Sequence, residues 1–170
     1  MSKADLSRVP SFYHGYINQI HEDDIVNAFR VQEPVIENFL ASIPEEKYDF
    51  KYSPGKWTIK EVIQHMIDAE RIFCYRALCF ARKDTTPLPG FDENEYADTS
   101  MADTRNWDDL KMEFLAVRKS SEWLFKSFNE DQLMSSGISN NSSIYVLGIG
   151  YIIVGHVAHH IRIIKERYLV

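Results

Sequence analysis

Apolar residues recur every three to four positions in four separate stretches of this 170-residue chain. This spacing lines one face of an α-helix with apolar side chains and therefore predicts amphipathic helices. We place the four helices at residues 22–42, 58–82, 106–128 and 143–168. No stretch shows the alternation of apolar and polar residues that is typical of a half-buried strand, so we expect no strands. Four long amphipathic helices predict an all-α protein with a four-helix bundle.

Local signals indicate where these helices begin and end. Thr58 followed by Glu61 is a capping box, in which the two side chains satisfy backbone N–H groups at a helix start. Asn106 is a good first cap for the third helix, and Pro44 stops the first. The connection at residues 83–105 contains two prolines and a glycine, so we expect it to be extended. A connection of this length is a crossover or a functional lid, and it permits two neighbouring helices to run parallel.

The composition limits the number of domains and the kind of partner. A chain of this length with 45% hydrophobic residues predicts one domain over residues 1–170. The net charge of -6 leaves no cationic surplus for nucleic acid or an anionic membrane. Cys74 and Cys79 point to different faces of one helix and are not expected to form a disulfide. With no signal peptide and no long apolar run, we expect a cytoplasmic protein that binds neither nucleic acid nor membranes.

Three of the six histidines lie where one metal ion would suit them. His156 and His160 are one helical turn apart, so both imidazoles project from the same face of the fourth helix. His65 interrupts the apolar stripe of the second helix, where an unpaired buried polar group costs about 1–3 kcal/mol. Three neutral imidazoles would hold one divalent metal ion and leave coordination positions open, as in a catalytic site. The alternative is that all three are core histidines held by hydrogen bonds.

Other polar residues near this trio have two interpretations each. Asp68 is a candidate catalytic residue that would orient a ligand or take a proton from metal-bound water, or it is a surface acid. Arg76 is a candidate substrate-binding residue for an anionic group, or it pairs with Asp68 or Glu70. We expect an orienting or structural role for His159. Trp57, just before the capping box, is expected to staple the helix start onto the core.

Three segments resemble the DinB-like superfamily, also called the YfiT-like metalloenzymes. The first, at residues 52–71, reads Tyr-Ser-Pro-Gly-Lys-Trp-Thr-Ile-Lys-Glu-Val-Ile-Gln-His-Met-Ile-Asp-Ala-Glu-Arg and is similar to the start of the family's second helix. Residues 86–92 resemble the loop that follows, and residues 151–160 resemble the last-helix motif. In order and spacing the resemblance covers residues 22–168, and the three segments together are far more specific than any one.

The resemblance implies a bundle of up-down-down-up topology with one divalent metal ion, often zinc or nickel, on His65, His156 and His160. It also implies a homodimer. Characterised relatives include thiol-dependent S-transferases and a mycothiol-dependent isomerase. We therefore expect an enzyme that activates a thiol or water against a small-molecule substrate, with a low-molecular-weight thiol as one candidate partner. Val157 and Ala158 are apolar where relatives often carry polar residues, which argues against a catalytic role for that strip. The rival expectation is a non-catalytic metal- or ligand-binding stress-response protein.

Overall fold

The computed structural model describes residues 3–170. In chain order, the helices are α1 (His14–Ile17), α2 (Ile25–Ser42), α3 (Ile59–Ala81), α4 (Glu93–Thr99), α5 (Trp107–Lys126), α6 (Glu130–Leu133) and α7 (Val146–Arg167). Two strands, β1 (Ser136–Ser139) and β2 (Ser142–Tyr145), precede α7. Short 3-10 turns lie at Leu6–Arg8, Ser11–Tyr13, Glu45–Lys47 and Ala102–Thr104. The long helices α2, α3, α5 and α7 correspond to the four predicted helices.

The starts of α3 and α5 are made by the predicted caps, and α2 has a cap that was not predicted. Thr58 accepts a hydrogen bond from the backbone of Glu61 at 3.1 Å, and the Glu61 carboxylate accepts one from the Thr58 backbone at 2.6 Å. Asn106 caps α5 in the same way, by accepting from the next two aspartate N–H groups. Asp24 caps α2 through the backbone N–H of Asn27. These local bonds satisfy donors that the first helical turn leaves free.

The long helices pack in the up-down-down-up arrangement. Both α2 and α3 pack against α5 and α7. One buried cluster combines residues 36–43 from the end of α2, 59–67 from the start of α3, 107–114 from the start of α5 and 157–164 from the end of α7. Therefore α3 runs parallel to α5, and both run opposite to α2 and α7. The topology implied by the family resemblance is confirmed.

Helix α7 is the core helix of this bundle. Nearly every residue from Val146 to Val157 is buried. By length and composition alone α7 is apolar enough to cross a membrane, yet 72% of its apolar window is buried inside the protein. Burial by other helices accounts for its apolar composition.

The prediction that the chain contains no strands was wrong. Strands β1 and β2 form an antiparallel hairpin in which Ser136 lies opposite Tyr145. Asn140 and Asn141 make the turn with φ angles of 48° and 58°, a left-handed conformation that asparagine tolerates and that suits a two-residue hairpin turn. Strands of four residues are too short to give a clear alternating pattern. Helix α7 consequently starts three residues later than predicted.

The connection between α3 and α5 is more ordered than predicted. It contains α4, capped by Asp92, where we expected an extended segment. It also pairs with the hairpin, since the N–H of Leu88 donates to the carbonyl of Ile138 at 2.9 Å and the N–H of Asn140 donates to the carbonyl of Leu88 at 3.1 Å. These bonds hold the crossover over the end of the bundle where α3 ends and α7 begins.

Candidate metal centre

The three predicted histidines meet between α3 and α7. The Nε2 atom of His156 lies 3.0 Å from Nε2 of His65 and 3.0 Å from Nε2 of His160. One ring nitrogen from each residue lies within 4.8 Å of the other two. Helix α3 supplies one ring and two successive turns of α7 supply the others, so rigid elements hold all three.

Burial keeps these imidazoles neutral. It lowers the pKa of His65 to about 4. Burial is also the main reason why the pKa of His160 falls to about 3, with His65 and His159 contributing. The pKa of His156 is lowered well below its ordinary value, first by burial and then by the neighbouring histidines. A neutral imidazole keeps a lone pair on one ring nitrogen, which is the form that binds a metal ion.

Hydrogen bonds alone do not account for the close contacts among the three imidazole rings. Each neutral imidazole carries one N–H, and its Nε2 atom has a single position in the ring plane, either a proton or a lone pair. Nε2 of His156 therefore cannot make two well-aligned bonds, although both other rings approach it at 3.0 Å. A metal ion with N bonds of about 2.0–2.1 Å places adjacent ligand nitrogens about 3.0–3.4 Å apart. The three residues fit a divalent metal ion, and three imidazoles suit zinc, nickel, copper and iron alike.

Aromatic rings surround the histidines on two sides. The ring of Trp57 lies 4.9 Å from that of His65, and the ring of Tyr16 lies 5.5 Å from that of His156. Trp57 packs on the core as predicted, but it also faces the site. Tyr16 approaches closely because Gly155 has no side chain: a Cβ atom there would lie 2.3 Å from the Tyr16 carbonyl oxygen. The N-terminal segment thus lies directly against the turn that carries His156.

A cavity of about 420 Å³ opens beside the three histidines. This volume suits a small molecule. Its walls come from the N-terminal segment, α3, the crossover, the hairpin and α7. The aromatic lining residues are Phe12, Tyr13, Tyr16, Trp57, Phe73 and Phe91, and the polar ones besides histidine are Arg76, Glu93, Ser139, Asn140 and Ser142.

Arg76 lies in the wall of this cavity, as a substrate-binding residue would. Its side chain donates a hydrogen bond from Nη2 to the carbonyl of Pro89 at 2.8 Å. The alternative partners that we considered are engaged elsewhere. Glu70 is buried against Arg118, with 2.8 Å between Oε2 and Nη2. Asp68 accepts a hydrogen bond from Gln64 at 2.9 Å.

Asp68 is not among the residues that line the cavity. Burial raises the pKa of its carboxyl group, and the hydrogen bond from Gln64 opposes that rise. The catalytic role that we assigned to Asp68 stays a prediction. His159 is half-buried, with its ring 5.2 Å from that of Tyr16 and its Nδ1 atom 3.3 Å from Arg162. This position beside the site is compatible with the orienting or structural role expected of it.

Sequence reasoning missed the N-terminal wall. The segment before residue 22 was assigned no element, yet Phe12, Tyr13 and Tyr16 all line the cavity. The signal that could have found it is the dense run of aromatic residues outside any amphipathic helix.

Both cysteines are free thiols, in agreement with the prediction.

Comparisons with known proteins agree with this architecture. YfiT from Bacillus subtilis, described as "a probable metal-dependent hydrolase with an unusual four-helix bundle topology", has a TM-score of 0.72 at 16% identity, over 84% of this chain and 82% of that one. A protein of Oceanobacillus iheyensis named "Putative metal-dependent hydrolase" is 23% identical over 86 residues. That alignment spans 51% of this chain and only 50% of the relative. The family model of the DinB superfamily matches residues 28–164, which is most of the chain and all three histidines. The chain therefore belongs to the DinB superfamily.

Proposed function

We propose that this protein is a metal-dependent hydrolase of small molecules, with one divalent ion held by His65, His156 and His160. The observation that carries the proposal is the convergence of three neutral imidazoles in the wall of a 420 Å³ cavity. The two similar proteins described above are both named as metal-dependent hydrolases, which supports the same class here. Zinc or nickel is the ion we propose, since the family resemblance implies one of these two and both accept three imidazole ligands.

The Nε2 atoms of the three histidines would hold the ion. When bound, the ion would supply Lewis-acid chemistry and lower the pKa of a water molecule or thiol at its open position. The rings of Trp57 and Tyr16 limit the access of bulk water to the histidines, which strengthens electrostatic interactions within the site. The phenol of Tyr16 is protonated at neutral pH and is able to donate a hydrogen bond, and burial raises its pKa further. Asp68 lies outside the cavity wall. We propose that it orients the Gln64 amide, whose oxygen accepts a hydrogen bond from Arg105 and so ties α3 to the segment before α5.

The thiol version of this chemistry would make the protein an S-transferase that uses the same centre. In the non-catalytic alternative, the protein would hold the ion for stability or sensing.

We also propose that the protein acts as a homodimer in the cytoplasm. Sedimentation of the metal-loaded protein would test the dimer, and fractionation of cells would test the location.

Elemental analysis of protein purified without a histidine tag tests the centre. We expect about one equivalent of metal in the parent and loss of that metal in both His65→Ala and His160→Ala. His159→Ala is the matched control, because this neighbouring histidine is not part of the trio, and it should retain the metal. A parent that takes up neither zinc nor nickel would leave three hydrogen-bonded core histidines and refute the centre.

Activity assays then separate the reaction types. Metal-loaded protein is incubated with a panel of small esters and amides, with and without a low-molecular-weight thiol. Product formed without thiol identifies a hydrolase, and product that requires consumption of the thiol identifies a transferase. If neither occurs, and a paramagnetic substitute ion has no exchangeable water, the site is closed and the non-catalytic version is correct.

A further inference from the structure

Arg76 is a buried cation that has no acidic partner in the described part of the chain. Only 4% of the residue is exposed. Among residues 3–170, no carboxylate forms an ion pair with it. Its neighbours are the carbonyl of Pro89 and the phenol of Tyr13. A guanidinium has five N–H donors, so these two neutral groups leave most of its hydrogen-bonding capacity unused and supply no opposing charge.

The other deeply buried arginine makes the contrast clear. Arg118 is 1% exposed in its side chain and forms an ion pair with Glu70, as expected of a charge that is removed from water. The guanidinium nitrogens of Arg118 are sealed from solvent, and its charge is matched by the Glu70 carboxylate rather than by well-formed hydrogen bonds. None of the Arg76 nitrogens is both sealed from solvent and without a hydrogen bond. Because Arg76 also lines the 420 Å³ cavity, its free donors face the space that a ligand would occupy.

An apolar surface connects Arg76 to the three histidines. The ring of Phe73 lies 5.7 Å from the Arg76 guanidinium carbon on one side and 6.3 Å from the His156 ring on the other. Tyr13 packs edge-on against this ring at 6.0 Å. One aromatic ring therefore separates the cation from the histidine centre. A small molecule that lies over Phe73 would reach both ends.

The charged side chains around the cavity indicate which ligand would bind beside Arg76. Of the lining residues in the described part of the chain, Arg76 alone has a permanent positive charge, and Glu93 contributes a negative one. At the Arg76 end of the cavity, away from the histidines, a single negative charge on the ligand is enough to match the guanidinium. The planar guanidinium also matches a carboxylate through two parallel hydrogen bonds.

We propose that Arg76 and Tyr13 form a carboxylate-binding subsite of the cavity. The substrate is then a small monocarboxylate whose apolar part lies over Phe73 and whose reacting group reaches His65, His156 and His160. The choice of substrate class rests on the proposed function, but binding of the carboxylate does not require turnover.

Calorimetric titration of the metal-loaded protein with two probes tests the subsite. The probes are 3-phenylpropionate and its neutral amide, 3-phenylpropanamide, which have nearly the same shape. We expect the parent to bind the acid at least about 10-fold more tightly than the amide, as a charge-assisted hydrogen bond would provide. Arg76→Met should bind the two probes equally, and Arg76→Lys should keep part of the preference because it keeps the charge. Tyr13→Phe should reduce the preference by a smaller factor.

His160→Ala distinguishes the subsite from the metal centre, since a carboxylate is also a metal ligand. We expect this variant to keep the preference for the acid although it loses the ion. A preference that survives in Arg76→Met would overturn the subsite, and so would equal binding of both probes, or no binding of either, by the parent. If Arg76→Met does not fold, an unaltered acid preference in Arg76→Lys overturns it as well. Metal content and hydrolysis are measured separately, so the proposed function can fail while the subsite holds, and the reverse.

Discussion

Replacing Gly155 with alanine tests how the N-terminal segment closes the site. Gly155 lies on α7 directly before His156, and the added Cβ atom would lie 2.3 Å from the carbonyl oxygen of Tyr16 and 2.5 Å from its carbonyl carbon. Ordinary contact begins at 3.4 Å, so the backbone of α1 would have to retreat by about 1 Å. Backbone atoms cannot rotate away as the end of a side chain can, so α1 must move as a unit.

The cost can be estimated from two opposing effects. Overpacking of this kind costs about 1–3 kcal/mol. Alanine stabilises a helix interior by about 1 kcal/mol relative to glycine. We therefore expect Gly155→Ala to lower the free energy of unfolding by about 0–2 kcal/mol, which corresponds to a Tm decrease of up to about 8 °C. The local effect is larger than the global one, because α1 is short and its contacts with α7 are disturbed directly.

Hydrogen exchange read by mass spectrometry measures this local effect. Peptides from residues 4–20 should exchange faster in Gly155→Ala than in the parent, while peptides from α3 and the rest of α7 should not change. Gly15→Ala is the matched control, because a Cβ atom there meets nothing within 4 Å. Unchanged protection of residues 4–20 in Gly155→Ala, or a Tm above that of the parent, would refute the inference that this contact holds α1 against the site.

Three further predictions follow from the buried polar groups. Chelation should lower the Tm without loss of the helical circular-dichroism signal, since metal at about 100 times its Kd adds about 2.7 kcal/mol to a bundle that packs without it; loss of helicity would contradict this. Metal-free protein should become less stable as pH falls from about 6.5 towards 4. The reason is that the pKa of His65 is lowered to about 4 and that of His160 to about 3, so the unfolded chain takes up protons that the folded chain refuses. Urea unfolding at a series of pH values checks the sign, and stability that is flat or rises towards acid would count against it. Glu70→Gln should cost about 3–5 kcal/mol because it leaves the Arg118 guanidinium buried without its counter-charge. Glu70→Gln combined with Arg118→Met should recover most of that loss, and a double variant as unstable as the sum of the two single variants would show that the pair does not interact.

Much of the site was accessible from sequence because its signals are local. Apolar spacing predicted α2, α3, α5 and α7, and the capping box at Thr58 predicted the start of α3 to the residue. His156 and His160 had to share a face because they are one turn apart on a helix. The prediction for His65 needed one further assumption, namely that the bundle packs the histidine of α3 against the two histidines of α7.

The crossover and the hairpin lay beyond such local reasoning. Their pairing joins Leu88 to Ile138, which are 50 positions apart, and no periodicity within either segment indicates it. The two asparagines at 140 and 141 did carry a turn signal, but strands of four residues on each side gave too little pattern to use it. Here the pairing between the crossover and the hairpin stabilises local structure that neither segment specifies by its own sequence.

By itself, the sequence determined the four long helices and which histidines could share an ion, because both depend on the geometry of one helical turn. Only the tertiary structure decided which side of the histidines is open and that Tyr16 approaches His156 across Gly155. It also decided that Arg76 is buried with no carboxylate partner among residues 3–170. Each of these depends on contacts, or on the lack of contacts, between elements far apart in the chain. Sequence spacing cannot rank such contacts, because their free energy comes from packing that exists only once the bundle has formed.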